Sequence, residues 1–196
     1  MKSVAVFCGS NLGNSPEFEI LARDLGHEIG KRGIRLVFGG GKVGLMGAVA
    51  DACLTAGGDV IGVIPQQLMD KELGHTGVTD LRITTTMHER KAAMEQEADG
   101  FIALPGGFGT LDEFCEIITW AQLGIHRKPC AVLDTKGGYF RSLLAFFDTA
   151  VDHGFVSPEH NAMILRHTQP AALLDLMTGW TPTFREKWID RDALAD

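Results

Sequence analysis

The sequence predicts an α/β fold: a single-domain, Rossmann-like, doubly wound parallel sheet with helices on both faces. Three observations predict it. Short apolar runs rich in Val, Ile and Phe alternate with longer segments of helical period. Glycine-rich turns follow several of those runs, where such a sheet places its ligands. A chain of 196 residues, 45% of them hydrophobic, suffices for one good core and is short for two substantial domains.

The first strand is expected over Val4 to Cys8. Asn14-Ser15-Pro16-Glu17 then starts a helix, with a cap candidate, a proline in the first turn and an acid near the positive dipole end. Phe18, Leu21, Ala22, Leu25 and Ile29 recur on one face of it, and Gly33 stops it. Arg35 to Phe38 makes the second strand, Gly39-Gly40-Gly41 turns the chain, and Leu45 to Ala56 makes a second helix closed by Gly57-Gly58. Val60 to Ile64 is the third strand.

Residues 65 to about 80 show no sustained period and read as a long loop of the kind that lines a site; this loop carries Glu72. Ile83 to Thr86 is a short strand. Met87 to Ala98 is a helix whose first turns expose His88, Arg90 and Lys91. Phe101 to Leu104 is the next strand, followed by a proline-glycine turn and a helix from about Thr110 to Leu123. Ala131 to Leu133 is a strand, and Tyr139 to Val151, apolar around much of its circumference, a largely buried helix. Ile164 to His167 adds an edge strand and Pro170 to Met177 a last helix. The expected division is a nucleotide-binding domain over 1–180 and a polar tail over 181–196.

A formal net charge of −7 and a pI near 5.5 argue against general attraction to nucleic acid or anionic membrane. The expected partner is a small molecule. No stretch approaches the ~20 apolar residues of a membrane span. Cys8, Cys53, Cys115 and Cys130 form no Cys-x-x-Cys pair, and each lies in an apolar stretch where a free thiol packs as a small hydrophobe. A cytoplasmic protein is expected.

Three strand ends offer glycine turns for chemistry: Cys8-Gly9-Ser10, Gly39 to Gly47, and Pro105 to Glu113. The second contains Gly-x-Gly-x-x-Gly at Gly39, Gly41 and Gly44, but after the second strand. The next strand ends in Ile64-Pro65-Gln66, without the acid of a dinucleotide site. These glycines, Gly40 included, serve either close packing or a phosphate contact.

In the third turn, Gly106, Gly107 and Gly109 offer unshielded backbone N–H groups beside Phe108, and Thr110 adds a hydroxyl; together they suit a phosphate. Glu113 has two readings. It either polarises a water and stabilises an oxocarbenium-like transition state, or closes a Thr-x-x-Glu capping box with Thr110. Glu116, one turn on, shares its face.

Arg90 and Lys91 are adjacent cations near a helix start, where the dipole disfavours positive charge. They read as an anion site or as a solvated pair. The seven histidines have no metal-site spacing, no Gly-x-Ser-x-Gly elbow is present, and nothing singles out a lysine for a Schiff base. No metal and no organic cofactor are expected.

Taken in order, several segments resemble the LONELY GUY family of cytokinin riboside 5'-monophosphate phosphoribohydrolases, whose members are also labelled lysine decarboxylases. They are Val4 to Ser10, Gly39-Gly40-Gly41, Gly44-Leu45-Met46-Gly47, Met87-His88-Glu89-Arg90-Lys91 and Ile117 to His126. The family's Pro-Gly-Gly-x-Gly-Thr-x-x-Glu is met without substitution at Pro105 to Glu113, with Asp112 where many relatives have glutamate.

The resemblance implies that Arg90 and Glu113 are the catalytic pair. It implies further that Lys91, Gly107 to Thr110 and Thr119 contact the nucleotide, that Glu72 reaches it from the long loop, and that the protein is a homodimer with the site near the subunit contact. Gly9, Ser10, Gly40, Gly41 and Gly106 complete the expected substrate-binding set.

The expected reaction is hydrolysis of a nucleoside 5'-monophosphate, preferentially with an N6-prenylated adenine, to free base and ribose 5-phosphate. A less selective AMP or purine nucleotide nucleosidase and a non-catalytic nucleotide sensor or carrier are the alternatives.

Overall fold

The computed structural model describes residues 1–71 and 73–182; Glu72 and most of the expected tail, residues 183–196, lie outside the described residues. Seven parallel strands form one sheet in the order β4-β3-β2-β1-β5-β6-β7. They are β1 (Ser3–Phe7), β2 (Arg35–Phe38), β3 (Val60–Pro65), β4 (Asp80–Thr84), β5 (Phe101–Ala103), β6 (Cys130–Leu133) and β7 (Ile164–His167). The chain winds outward from β1 to β4, returns to the centre at β5, and winds outward again on the other side. The reversal falls between β1 and β5, and a doubly wound sheet opens its ligand crevice at such a point.

Alternation along β1 divides the core. Val4, Val6 and Cys8 pack with helices α1 (Pro16–Lys31), α2 (Gly44–Thr55) and α8 (Pro170–Thr178) on one face. Ala5 and Phe7 pack on the other with α4 (Met87–Glu97) and α5 (Phe108–Gln122), and with partly buried residues of α6 (Arg141–Asp152). α1 starts as its sequence suggests: Ser15 is the N-cap, its hydroxyl accepts from Glu17 N–H, and Pro16 opens the first turn. The first helix packs close on α2 because it presents Gly26 and Gly30; a Cβ at Gly30 would lie 2.6 Å from the Cys53 carbonyl oxygen.

Four expectations are corrected. Residues 65–80 are not wholly loop: a one-turn helix α3 (Gln66–Met69) succeeds β3, and β4 begins at Asp80. The segment between α3 and β4 is laced to the turn after β2 by a Gly41–Gly74 bridge and by Lys42 N–H to Leu73 C=O at 2.9 Å and His75 N–H to Gly40 C=O at 2.8 Å. α6 holds no buried residue; Leu143, Leu144 and Phe147 lean on the core, and Phe146 is 64% exposed. Its apolar circumference is covered on one side only, since α6 is an outer-layer helix. Cys115 is exposed on α5, whereas Cys8, Cys53 and Cys130 are buried thiols. Arg90 and Lys91 are buried, at 7% and 9% exposure. Among the described residues no helix is long and apolar enough to cross a membrane.

Candidate active site

At the reversal point three turns meet backbone to backbone. Gly9 N–H donates to Pro105 C=O at 3.0 Å, and Leu45 N–H donates to Gly9 C=O at 3.0 Å. Gly44 takes a positive φ of 66° and sits against the Ser10 carbonyl, where a side chain would collide. Gly106 is wedged between Gly9 N and the Thr110 side chain. These contacts enclose a cavity of about 570 Å³ whose walls include Gly9, Ser10, Gly39, Gly41, Arg90, Gly106 to Thr110 and Glu113. That size is typical of small-molecule sites.

The two glycine readings divide by residue. Gly40, with φ 73°, packs on Ile64, where a Cβ would come within 2.9 Å of its neighbour, and it does not line the cavity. Gly39 does line it, and a side chain there would collide with the Arg90 guanidinium. Gly107 and Gly109 are different again: a Cβ on either would meet no heavy atom within 4 Å. The protein's own packing therefore does not require glycine at those two positions. They border open space at the start of a 15-residue helix whose N-cap, Gly107, makes no side-chain cap hydrogen bond. The first N–H groups of such a helix have no intrahelical partner, and the dipole adds positive potential, so this end favours an anion.

α5 begins at Phe108, so Thr110 lies inside the first turn and Glu113 cannot close a capping box with it. The capping reading falls for a geometric reason: glycine at 107 lets the helix start earlier. Glu113 is instead carried into the second turn, 7% exposed, where its Oε1 meets Arg90 Nη1 at 2.7 Å. Arg90 comes from α4, and its Nε donates to the Val63 carbonyl at 3.0 Å. Burial raises the Glu113 pKa above its ordinary 4.5, and the Arg90 charge and hydrogen bond pull against that rise. The Cys8 thiol on the adjacent wall is pushed far up by burial and by the Glu113 charge, so it stays protonated.

The wall draws on elements from both sides of the reversal. Gly106 to Thr110 follow β5, whereas apolar Met46, Ile64, Leu68 and Leu73 come from elements attached to β2 and β3. Since β5 and β3 are three strand spacings apart, the two ends are separated by about 14 Å at the sheet. Arg90 and Glu113 lie between them, reaching the cavity from the α4 and α5 layer. Among the described residues no group of three or more His, Cys, Asp or Glu is placed to hold a metal ion.

A family model described as "possible lysine decarboxylase" matches residues 46–177. The chain is 47% identical over 185 residues to cytokinin riboside 5'-monophosphate phosphoribohydrolase LOG7 of Arabidopsis thaliana, covering 94% of this chain and 85% of that one. With LOG1 of the same plant, which bears the same activity name, it shares 45% over 181 residues, covering 92% and 84%. The chain belongs to the LONELY GUY family. Its fold is also that of a molybdenum cofactor binding protein from Rippkaea orientalis, with TM-score 0.69 and 22% identity over 90% of this chain and 94% of that one. The molybdenum cofactor carrier protein of Chlamydomonas reinhardtii is a second such neighbour, with TM-score 0.67 and 20% identity over 91% and 98%.

Of the positions that the LONELY GUY motif singles out, the cavity gathers Arg90, Glu113, Gly106, Gly107, Phe108, Gly109 and Thr110, together with Gly9, Ser10 and Gly41. Lys91 and Thr119 do not line it. Lys91 Nζ bridges α4 to α5 through Asp112 and Glu116, each at 3.1 Å, and although burial opposes its charge these partners raise its pKa. Glu116 is thereby engaged by Lys91, and it does not line the cavity. Thr119 is exposed farther along α5, its hydroxyl donating to Cys115 C=O at 2.7 Å. The candidate set also lacked Gly39, although the glycine fingerprint contains it, and Tyr139, for which no local signal exists.

Proposed function

We propose that this protein hydrolyses the N-glycosidic bond of cytokinin riboside 5'-monophosphates, releasing the free base and ribose 5-phosphate. The buried Arg90–Glu113 pair beside an uncapped helix N-terminus carries the reading. The 5'-phosphate sits on the N–H groups at the start of α5 and the ribose lies against Glu113. The base extends toward β2 and β3. As the C1'–N9 bond breaks, its electron pair leaves with the base, which takes up a proton, and positive charge develops on the ribose. Glu113, whose ionised form Arg90 favours against the cost of burial, stabilises that charge and accepts a proton from the water that adds to C1'. Arg90 orients the carboxylate through its bond to Val63 C=O.

The apolar wall of Met46, Ile64, Leu68 and Leu73 favours an apolar N6 substituent over plain AMP. Homodimerisation is part of the reading: Thr119, a nucleotide contact in the family pattern, faces outward on α5, where it serves the site of a second copy. The four free thiols, Cys115 exposed among them, support a reducing, cytoplasmic setting.

The test is chromatographic detection of free base from AMP and N6-isopentenyl-AMP, with wild type and Glu113→Gln side by side. Release should be faster from the prenylated nucleotide and should fall about 10²- to 10⁴-fold in the variant. Equal efficiency on both nucleotides defeats the prenyl preference. Saturable AMP binding without release of ribose 5-phosphate defeats hydrolysis.

A further inference from the structure

The chain's single tyrosine is 33 positions from the proline-glycine turn in sequence and bonded to it in space. Tyr139 precedes α6 and lines the cavity. Its hydroxyl donates to the Gly106 carbonyl. The ring is held edge-on to Phe18 at 5.5 Å and edge-on to Phe140 at 5.0 Å. Both supports are themselves fixed. Phe140 is buried and its N–H donates to Asp134 Oδ2 at 3.0 Å, while Phe18 covers Gly13, where a Cβ would come within 2.6 Å of its ring.

A turn containing Gly106, Gly107 and Gly109 is conformationally permissive and aims its N–H groups only if something holds it. Two consecutive carbonyls here are held from different elements. Pro105 C=O accepts from Gly9 N–H after β1, and Gly106 C=O accepts from Tyr139 before α6. Immediately beyond them lie exposed Gly107 and the uncapped start of α5. Burial does not force the second contact: Tyr139 is 46% exposed, and its hydroxyl has water as an alternative partner.

We propose that Tyr139 is the positioning residue of the phosphate end of the site. Its hydroxyl clamps the Gly106 carbonyl and so orients the turn and helix start that receive the 5'-phosphate. The proposal rests on the nucleotide reading above, and it assigns the residue to ground-state phosphate binding, separate from the chemistry at Glu113.

Tyr139→Phe removes the hydroxyl and keeps the ring against Phe18 and Phe140. Calorimetric Kd values for AMP, ribose 5-phosphate and adenosine, with kcat and KM for N6-isopentenyl-AMP, read the effect. AMP and ribose 5-phosphate should each bind about 3- to 10-fold more weakly, the range one ordinary hydrogen bond supplies, and adenosine should bind as before. KM should rise by more than kcat falls. Equal weakening of AMP and adenosine overturns the proposal in favour of a general structural role. An unchanged AMP affinity overturns it outright. If wild type binds AMP and ribose 5-phosphate yet releases no base, the hydrolase reading fails and the binding comparison still decides Tyr139. If wild type binds neither phosphate ligand, the phosphate site and the role of Tyr139 fall together.

Discussion

The starts of α4 and α5 are spelled alike and built differently. Thr86-Met87-His88-Glu89 and Thr110-Leu111-Asp112-Glu113 both have the Thr-x-x-Glu spacing of a capping box. In α4 the threonine caps: Thr86 Oγ1 accepts from Glu89 N–H at 3.1 Å, and the Glu89 carboxylate reaches back past the N-cap to accept from Thr85 N–H at 2.8 Å. In α5 glycine takes the N-cap, the threonine is buried in the first turn, and the glutamate turns inward to Arg90. One helix uses its threonine to cap the N–H of Glu89 in its own first turn. The other starts at a glycine N-cap with no side-chain cap hydrogen bond, beside the cavity. A helix end with its cap withheld beside a buried ion pair marks the site more clearly than either motif alone.

The contrast breaks most easily at the ion pair. Arg90→Met should destabilise the fold by about 3–5 kcal/mol, because it leaves Glu113 as an uncompensated buried carboxylate. Urea unfolding reads this, and the double variant Arg90→Met with Glu113→Gln should recover much of the loss. A double variant no more stable than the single would show that the charge is not what costs stability.

Gly39→Ala attacks the same pair from the wall. The new methyl collides with the Arg90 guanidinium, so about 1–3 kcal/mol should be lost together with most of the activity. Full activity would show that Arg90 has room to move.

Acidification tests Glu113. Burial raises the Glu113 pKa, so it takes up its proton above the ordinary 4.5, and kcat/KM should fall on the acid side through an apparent pKa above that value. The stability effect has the opposite sign. With the folded pKa above the unfolded one, the native state binds the extra proton, and this group's contribution to stability drops as pH rises through that window. Comparing wild type with Glu113→Gln across pH should show wild type losing ground as pH increases.

The smallest effect belongs to the ordinary cap. Thr86→Ala should cost about 1 kcal/mol by thermal unfolding, with kcat/KM changed far less than by Glu113→Gln. A comparable loss of activity would mean that the α4 start does more than cap its helix.

Much of the fold was legible because its signals are local. β2 and β7 fall where their apolar runs end, and the helix start at Ser15-Pro16 comes from residues adjacent in the chain. The proline-glycine turn was equally readable as the link from β5 to α5, and it lines the cavity. The burial of Arg90 and Lys91 was not: two cations near a helix start read as exposed until α5 and β3 supply their partners. α6 misled for the converse reason, since an apolar circumference states what a helix tolerates and not how many sides the fold covers.

By itself the sequence determined the strand-and-helix alternation and the glycine turns at the strand ends. Those arise from backbone sterics and periodicity, which act over a few neighbouring residues. Only the tertiary structure decided which Thr-x-x-Glu is a cap, that Arg90 finds Glu113 across two helices, and that Tyr139 reaches Gly106. Each depends on the β5 return beside β1, and strand order is set by packing the whole chain into one sheet.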